Sequence, residues 1–363
     1  MKLISVVGTR PNFIKLAPLI KEYKRSKRIE SILVHTGQHY DNNMSDVFFR
    51  QLDIPRPDYY LGVGSGSHAV QTAEIMKAFE PVVLENEPDA VVVLGDVNST
   101  VACALVAVKL GVKLVHVEAG LRSRDRSMPE EVNRVITDSI SDVLLCTEQG
   151  GADNLVHEGV STEKIFLVGN IVIDALVMNM ARAKTSRILH ELNLVDTQFA
   201  VLTLHRAATV DDPVAFGRIL DALEVIHSDM PIVFPIHPRT RSRLLSSSLG
   251  PRVRKMSLCR VIDPLDYLAF LRLMSSARVV LTDSGGIQAE TTFLKIPCVT
   301  LRENTEQPVT VEMGSSRIAG TDPDRIVRVY REVTNGGCPE VKVPPLWDGR
   351  VAERITEILL SGS

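Results

Sequence analysis

Short apolar runs alternate along the chain with longer segments in which apolar residues recur every three or four positions. The short runs predict strands, and several are apolar at consecutive positions, as in Ala90–Leu94, which is typical of a parallel sheet covered on both faces. The longer segments predict helices. In Pro129–Ser141, for example, one face of the helix carries Val132, Val135, Ile136 and Ile140. The predicted strands of the first half are 2–7, 31–34, 90–94, 113–117, 143–146 and 165–168.

The same alternation begins again after a strand-poor crossover, residues 171–194. Strands are predicted at 199–204, 232–235, 260–262, 278–282 and 298–301, and helices at 213–227, 267–277, 286–294 and 323–333. The predicted fold class is therefore α/β, with two Rossmann-like doubly wound domains facing a central cleft. The expected domains are residues 1–170 and 171–345, followed by a helix within 346–363.

Composition narrows the class of protein. Lys and Arg number 41 against 44 Asp and Glu, a net charge of −3, so bulk charge favours neither a nucleic-acid nor a membrane-surface partner. No apolar stretch approaches the roughly 18 residues of a membrane span, and the apolar run at the start is too short for a signal peptide. The five cysteines are scattered and never form a C-x-x-C pair, so we expect reduced thiols in a soluble, cytoplasmic protein.

Polar residues concentrate where the predicted strands end, which is where open α/β sheets bind ligands. The first such loop, Gly8-Thr9-Arg10-Pro11, leads into a helix with Lys15, and the basic Arg10 and Lys15 suit an anion at the helix N-terminus. The loop matches neither dinucleotide nor P-loop fingerprints. A plain helix start with solvated basic residues is the alternative.

The loop after strand 278–282 reads Asp283-Ser284-Gly285-Gly286 and opens a helix that contains Glu290. Amides at Ser284, Gly285 and Gly286 would suit a diphosphate, and Glu290, about one turn on, would suit the two hydroxyls of a ribose. The alternative is an Asp or Ser N-cap followed by an acidic residue in the early helix.

Three acidic residues differ from the solvated majority. Asp96 follows strand 90–94, Glu118 ends strand 113–117, and Glu130 begins a helix. If consecutive strands pair, Asp96 and Glu118 project from one sheet edge, where carboxylates serve as general acids or bases. For Glu130 a capping box, Ser127-x-x-Glu130, is a strong structural alternative.

Other strand-end residues carry weaker signals. His205-Arg206 and His237 end neighbouring strands of the second half and suit a diphosphate or a proton transfer, although histidines also serve packing. Arg302 opens a charged loop that could hold polar ligand edges or simply be solvated. No metal-ligand spacing is present, and Gly37 interrupts the only His pair of helical spacing, His35 and His39.

Taken in order, these motifs resemble the non-hydrolysing UDP-N-acetylglucosamine 2-epimerases. The matching stretches are Gly8–Pro11 with Lys15, Gly95-Asp96, His116–Arg122, Pro129–Arg134, Gly169-Asn170, His205-Arg206, Asp283–Glu290 and Arg302–Pro308. The resemblance implies the GT-B-type architecture of one large class of glycosyltransferases, with the C-terminal helix packing back on the first domain. It also implies a homodimer.

The resemblance implies inversion at C2 of a UDP-linked N-acetyl amino sugar, UDP-GlcNAc to UDP-ManNAc, by elimination of UDP to a 2-acetamidoglucal and re-addition. It assigns catalytic positions to Asp96, Glu118, Glu130 and His205. UDP-binding positions would be Arg10, Lys15, His237, Ser284, Gly285, Gly286, Glu290 and Arg302. No cofactor or metal is implied.

The chain departs from the family pattern in places. Ala208-Thr209 replaces a Glu-Asn pair, Gln307 replaces an Arg, and the 38–42 segment differs from that of allosterically activated relatives. The 36–45 region also resembles epimerases of UDP-2,3-diacetamido uronic acids. A retaining glycosyltransferase and an inactive nucleotide-sugar-binding protein are the remaining alternatives.

Overall fold

The structure is a computed structural model that describes residues 1–38, 49, 53–337 and 340–362. The chain divides into two compact units, one comprising residues 1–178 and 345–363 and the other residues 179–344. The first boundary falls inside the helix Ile171–Ala183, later than the expected end at residue 170. The chain thus returns to the first unit only for its last residues.

The first unit is built on a seven-stranded parallel sheet with the order β3-β2-β1-β4-β5-β6-β7. Its strands are β1 Lys2–Val7, β2 Glu30–His35, β3 Tyr59–Tyr60, β4 Ala90–Leu94, β5 Lys113–Ala119, β6 Val143–Cys146 and β7 Ile165–Leu167. All five residues of β4 are buried, as its unbroken apolar run predicts for an inner strand. β4 pairs directly with β5, so the residues that follow these strands emerge at one edge.

Helices connect these parallel strands. They are α1 Arg10–Ser26, α2 His68–Asn86, α3 Asn98–Lys109, α4 Pro129–Ile140, α5 Gln149–His157 and α6 Ile171–Ala183, with a 3-10 turn at Thr162–Lys164 and the C-terminal helix, here named α16, at Val351–Ser361. α16 packs against α1, and Asp174 of α6 accepts hydrogen bonds from the Val351 and Ala352 amides at its start (3.1 and 2.8 Å). Asp174 therefore supplies the cap that this helix lacks in its own sequence.

The second unit contains a six-stranded parallel sheet with the order β10-β9-β8-β11-β12-β13. The strands are β8 Ala200–Thr203, β9 Ile232–Pro235, β10 Cys259–Ile262, β11 Val279–Thr282, β12 Cys298–Thr300 and β13 Ser316–Ile318. The helices are α7 Ile188–Glu191, α8 Ala207–Val210, α9 Pro213–Asp229, α10 Pro238–Leu245, α11 Leu249–Lys255, α12 Tyr267–Ser275, α13 Gly285–Leu294, α14 Val309–Glu312 and α15 Pro323–Thr334. In each sheet the strands are added first toward one edge and then toward the other, on the two sides of the first strand, β1 or β8, as in Rossmann folds. This order confirms the predicted α/β fold class of two doubly wound domains.

The orientation of α4 differs from what its amphipathic pattern indicates. The helix forms as predicted, but Val132, Val135 and Ile136 are 37%, 41% and 37% exposed. The side chains that it buries are Glu131, Arg134, Thr137 and Asp138. These polar groups are accommodated because they are paired, as described below, and the apolar stripe is left at the surface of the unit.

No helix in the described ranges combines the length and apolar character needed to cross a membrane. Four cysteines fall within those ranges, all as free thiols: Cys103, Cys146 and Cys298 are buried and Cys259 partly so. Cys338 lies outside the described residues.

Candidate active site

Asp96 stands at the carboxyl end of β4, immediately after Gly95. Gly95 has a φ of +67°, which a residue with a side chain adopts only under strain, and the chain turns at this residue as it leaves β4. The Asp96 carboxylate, with 35% of its side chain exposed, lies 2.5 Å from the guanidinium of Arg134 on α4. An exposed carboxylate held by a buried cation is oriented and still accessible to a ligand.

Glu118 occupies the equivalent position on β5. The pairing of β5 with β6 shifts register between Val117 and Ala119, and Glu118 at this bulge has a φ of +72°. Such a conformation costs about 1 kcal/mol or more in a non-glycine residue, and strain of this kind clusters at functional sites. The Glu118 carboxylate is nearly buried and forms an ion pair with Lys15 of α1.

Lys15 is therefore the partner of a carboxylate, whereas the sequence indicated a cation for a diphosphate. A Cβ atom built on Gly95 would lie 3.3 Å from both the Lys15 Nζ and a Glu118 carboxylate oxygen, so these groups meet beside the Asp96 loop. The side chain of Arg10, the other basic residue of this segment, lies outside the described part of the structure, as do residues 39–48.

Glu130 is exposed in the first turn of α4, and the predicted capping-box alternative is wrong. The N-cap residue is Met128, and the Ser127 hydroxyl donates to Asp125. The neighbouring Glu131 has the structural role instead: it is buried, accepts the Ser123 and Arg124 amides (2.8 and 2.9 Å) and lies 3.3 Å from Arg134. Glu130 is left with its carboxylate in solvent beside a helix N-terminus.

In the second unit, His205 follows β8 and is held by Asp283, which follows the adjacent strand β11. Asp283 is fully buried and accepts the amides of His205 (3.0 Å) and Arg206 (2.9 Å), while its Oδ1 lies 3.2 Å from the His205 Nδ1. Burial raises the pKa of Asp283, but the histidine and the two amides outweigh burial and leave it below its ordinary value. Asp283 thus orients a half-exposed histidine, which the sequence did not reveal.

The segment after Asp283 opens helix α13. Ser284 stands at the N-cap position, but its side chain makes no capping hydrogen bond, so the capping alternative for Asp283 and Ser284 is wrong. A Cβ atom on Gly286 would meet no atom of the described chain within 4 Å. The first-turn amides of a helix lack intrahelical acceptors, and here they border open space, which suits an anionic ligand.

Glu290 lies farther along α13, 7% exposed, and accepts a hydrogen bond from the hydroxyl of Tyr267 (3.3 Å). Burial raises its pKa to about 7, and the Tyr267 hydrogen bond offsets only part of that effect. A buried carboxylate without a cation partner among the described residues is poised to accept hydroxyl donors from a ligand.

Arg302 is buried, and its guanidinium binds Glu306 at two points (2.7 and 3.0 Å) and Asn304 at 3.1 Å. Glu306 also pairs with Arg206 at 2.9 Å. Burial would raise the pKa of Glu306, but the two arginines lower it to about 2. Arg302 consequently braces Glu306 and Arg206, where the sequence indicated a direct ligand contact.

His237 is the N-cap of α10, where its Nδ1 accepts the Arg239 amide at 3.2 Å. Its ring centroid lies 5.7 Å from that of His205, so the two strand-end histidines are brought together. Within the described ranges no group of three or more His, Cys, Asp or Glu side chains has the arrangement of a metal site.

Comparison with known proteins gives consistent matches over the whole chain. The family model of UDP-N-acetylglucosamine 2-epimerase matches residues 21–360. A UDP-N-acetylglucosamine 2-epimerase from Methanocaldococcus jannaschii is 41% identical to this chain, and the match covers 100% of both chains. A UDP-2,3-diacetamido-2,3-dideoxy-D-glucuronate 2-epimerase from Pseudomonas aeruginosa is also 41% identical, over 91% of this chain and 92% of its own. The crystal structure of the Methanocaldococcus enzyme in complex with UDP-GlcNAc and UDP matches with a TM-score of 0.93 over 100% of both chains.

Proposed function

Because the chain belongs to the UDP-N-acetylglucosamine 2-epimerase family, we propose that it inverts C2 of UDP-GlcNAc to form UDP-ManNAc without hydrolysis. The resemblance expected from the motifs is thereby confirmed at the level of the family. The observation that carries the proposal is the pair of carboxylates, Asp96 and Glu118, at the ends of adjacent strands, each held by its own cation. Inversion at a carbon requires proton transfer on two faces, and two oriented carboxylates supply it.

The proposed chemistry proceeds by elimination and re-addition. A base removes the C2 proton as the C1–O bond to UDP breaks, which forms the C1=C2 bond of a 2-acetamidoglucal and releases UDP. A proton then arrives at the opposite face of C2 while a UDP oxygen re-forms the bond at C1. Asp96, Glu118 and the solvent-facing Glu130 are the proposed acid, base and stabiliser of the oxocarbenium-like charge.

The second unit is proposed to bind UDP. Amides at Ser284, Gly285 and Gly286 would hold the diphosphate, and Glu290 the ribose hydroxyls. His205, oriented by Asp283 and next to His237, would supply a positive or proton-donating group to the departing diphosphate. Arg302 supports this site through Glu306. Arg10 and Lys15 stay predicted UDP-binding residues, as the resemblance to the family implies.

A second candidate substrate is UDP-2,3-diacetamido-2,3-dideoxyglucuronate. The chain is as similar, at 41% identity, to the Pseudomonas enzyme of that name as to the Methanocaldococcus enzyme. The two substrates differ at C3 and C6 and share the proton at C2, so the carboxylates serve both equally.

The test incubates the protein with each UDP sugar in heavy water and follows the anomeric protons by NMR. An epimerase gives a second anomeric signal and deuterium at C2 of the recovered nucleotide sugar. A transferase gives neither without an acceptor, and a binding protein gives neither at all although calorimetry detects UDP. The substrate is the UDP sugar with the higher kcat/KM.

We also propose that the protein is a homodimer that uses the exposed face of α4. The support is the apolar stripe of Val132, Val135 and Ile136, which is exposed on a helix that buries the charged Glu131, Arg134 and Asp138. Val135→Glu should give the monomer mass in light scattering after size-exclusion chromatography, whereas Val214→Glu, at a 63% exposed valine of α9, should not. A monomeric unaltered protein would contradict this proposal.

A cytoplasmic location is proposed as well. It is supported by the four described cysteines, which are free thiols, as in proteins of a reducing compartment. Fractionation of the source cells, with the protein detected in the soluble cytoplasmic fraction, would test it.

A further inference from the structure

A buried cluster of ionisable side chains in the first unit, formed by His116, Arg122 and Asp138, adjoins the Asp96 and Glu118 loops and is not used by the proposed chemistry. Their exposures are 0%, 7% and 2%, and the three come from β5, the loop that follows it and α4. Burying three ionisable groups is unfavourable unless each is paired. The partners of these three side chains belong to several different elements, which the cluster therefore connects.

His116 bridges two elements through its two ring nitrogens. Its Nε2 lies 2.8 Å from the Gly95 carbonyl oxygen, and its Nδ1 lies 2.6 Å from an Asp138 carboxylate oxygen. Because a carbonyl oxygen can only accept, the Nε2–H donates to Gly95. The ring therefore connects the turn that carries Asp96 to helix α4.

Asp138 connects that bridge to the second loop. Its other carboxylate oxygen accepts the Gly120 amide at 3.0 Å and the Arg122 guanidinium at 2.7 Å. Burial would raise the pKa of Asp138, but His116 and Arg122 together outweigh burial and leave it below its ordinary value. An ionised Asp138 holds the chain two residues beyond Glu118, and Arg122 is anchored in turn by Glu158 (2.8 and 2.6 Å).

The Gly95 peptide is thus held on both sides. Its N–H donates to the Val117 carbonyl at 3.0 Å, and its own carbonyl accepts from His116. Asn133 of α4 donates to the next carbonyl, that of Asp96, at 2.9 Å. Glycine has no Cβ atom and adopts many backbone conformations, so these hydrogen bonds, together with the ion pair between Asp96 and Arg134, restrict where the Asp96 side chain points.

We propose that His116 and Asp138 are positioning residues of the epimerase site, which set Asp96 and Glu118 in register with each other through the Gly95 carbonyl and the Gly120 amide. The proposal rests on the proposed function. Neither residue touches the reacting atoms in this account. Their contribution is geometric, because a displacement of about 1 Å in a catalytic group lowers a rate by up to about 100-fold.

Two amide variants separate the two halves of the His116 bridge. His116→Gln places an N–H donor near the position of Nε2 and keeps the bond to Gly95, whereas His116→Asn places its amide near Nδ1, facing Asp138, and loses Gly95. We expect His116→Asn, which leaves the Gly95 carbonyl without its donor, to lower kcat by about 10-fold or more with KM within about twofold. His116→Gln keeps that donor but loses the contact with Asp138, so we expect it to lower kcat less. A purely structural role would lower both variants together with their stability.

Asp138→Asn provides an independent route, because it keeps the shape but has one acceptor oxygen where the carboxylate has two, so the contacts with His116 and with the Gly120 amide cannot both be kept unchanged. We expect kcat to fall, with UDP affinity measured by calorimetry unchanged. The matched control is Thr137→Val in the same helix, whose lost hydroxyl donates to the Asn133 carbonyl within α4. It should leave kcat and KM unchanged.

Hydrogen–deuterium exchange of the peptide that contains Gly95 and Asp96 reports on the tether without any activity. Faster exchange there in His116→Asn than in His116→Gln supports the proposal, even if the unaltered protein turned over no UDP sugar and the proposed function failed. Equal exchange in both variants, or native kcat in a folded His116→Asn, would overturn it. Should His116→Asn not fold, the Asp138→Asn kcat and exchange decide: both unchanged would overturn it.

Discussion

Glu290 allows stability and ligand binding to be separated by one substitution. Its carboxylate is 7% exposed, and its hydrogen-bond partner is the neutral Tyr267 hydroxyl. Glu290→Gln keeps the size and the acceptor oxygen but removes the charge that burial disfavours. We therefore expect the variant to be more stable than the unaltered protein and to bind UDP more weakly.

The magnitude follows from the pKa of Glu290, which burial raises from 4.5 to about 7. Above pH 7 the carboxylate is ionised in both the folded and the unfolded chain, and folding is then destabilised by about 3 kcal/mol relative to a neutral side chain. As the pH falls from about 7 to 4.5 the folded state takes up the proton first, and the difference diminishes toward zero. For a unit of this size, 3 kcal/mol corresponds to about 6–12 °C in thermal midpoint.

The assay is calorimetric unfolding of both proteins at pH 4.5 and pH 8. The account predicts equal midpoints at the lower pH and a higher midpoint for Glu290→Gln at pH 8. Titration with UDP at pH 8 should show binding about 10-fold weaker in the variant, because an ionised acceptor for the ribose hydroxyls is lost. Between pH 8 and pH 6 the affinity of the unaltered protein for UDP should fall relative to that of the variant. The ratio of the two affinities is used because the titration of the UDP phosphate affects both proteins equally. A variant no more stable at pH 8 would refute the burial argument, and an unchanged UDP affinity would refute the ribose assignment.

Four further substitutions test the roles of other residues. Asp96→Asn and Glu118→Gln should each lower kcat by at least about 100-fold in a protein that still folds, and near-native rates would remove that carboxylate from the mechanism. Arg302→Lys cannot reproduce the two-point contact with Glu306. We therefore expect a thermal midpoint several degrees lower and weaker UDP binding by calorimetry. The control is Arg328→Lys at an exposed position of α15, which should change neither quantity. Asp174→Ala removes the acceptor for the Val351 and Ala352 amides, which should speed hydrogen exchange in α16. Unchanged exchange there would contradict the capping role.

The inner strands were predictable because their signal is local. Ala90–Leu94 is apolar at each position, and the structure places β4 over those residues. The edge strands β3 and β13 were missed because β3, Tyr59–Tyr60, is two residues long and β13, Ser316–Ile318, begins with two polar residues. The three-residue edge strand β7 was predicted because it lies within the apolar run 165–168. Their pairing is decided by the neighbouring strand.

The partners of the charged residues were not predictable, because the atoms that pair are distant in sequence. Lys15 reads as a free cation at a helix start, and only the fold shows that it meets Glu118. The buried face of α4 was misjudged for the same reason. Its apolar pattern is local, whereas the groups that pair with Arg134 and Asp138 come from the strand-end loops. The residue types at the strand ends were enough to locate the candidate site in the sequence. The role of each residue within that site depends on its tertiary contacts.

The isotope content at C2 of the nucleotide sugars tests proton transfer by Asp96 and Glu118 most directly. The protein is incubated with UDP-GlcNAc in heavy water, and the nucleotide sugars are recovered and examined by NMR and mass spectrometry. We expect one deuterium at C2 in UDP-ManNAc and, with time, in UDP-GlcNAc. If UDP-ManNAc forms with its C2 hydrogen unexchanged, or if Asp96→Asn and Glu118→Gln exchange as fast as the unaltered protein, proton transfer by these carboxylates is contradicted.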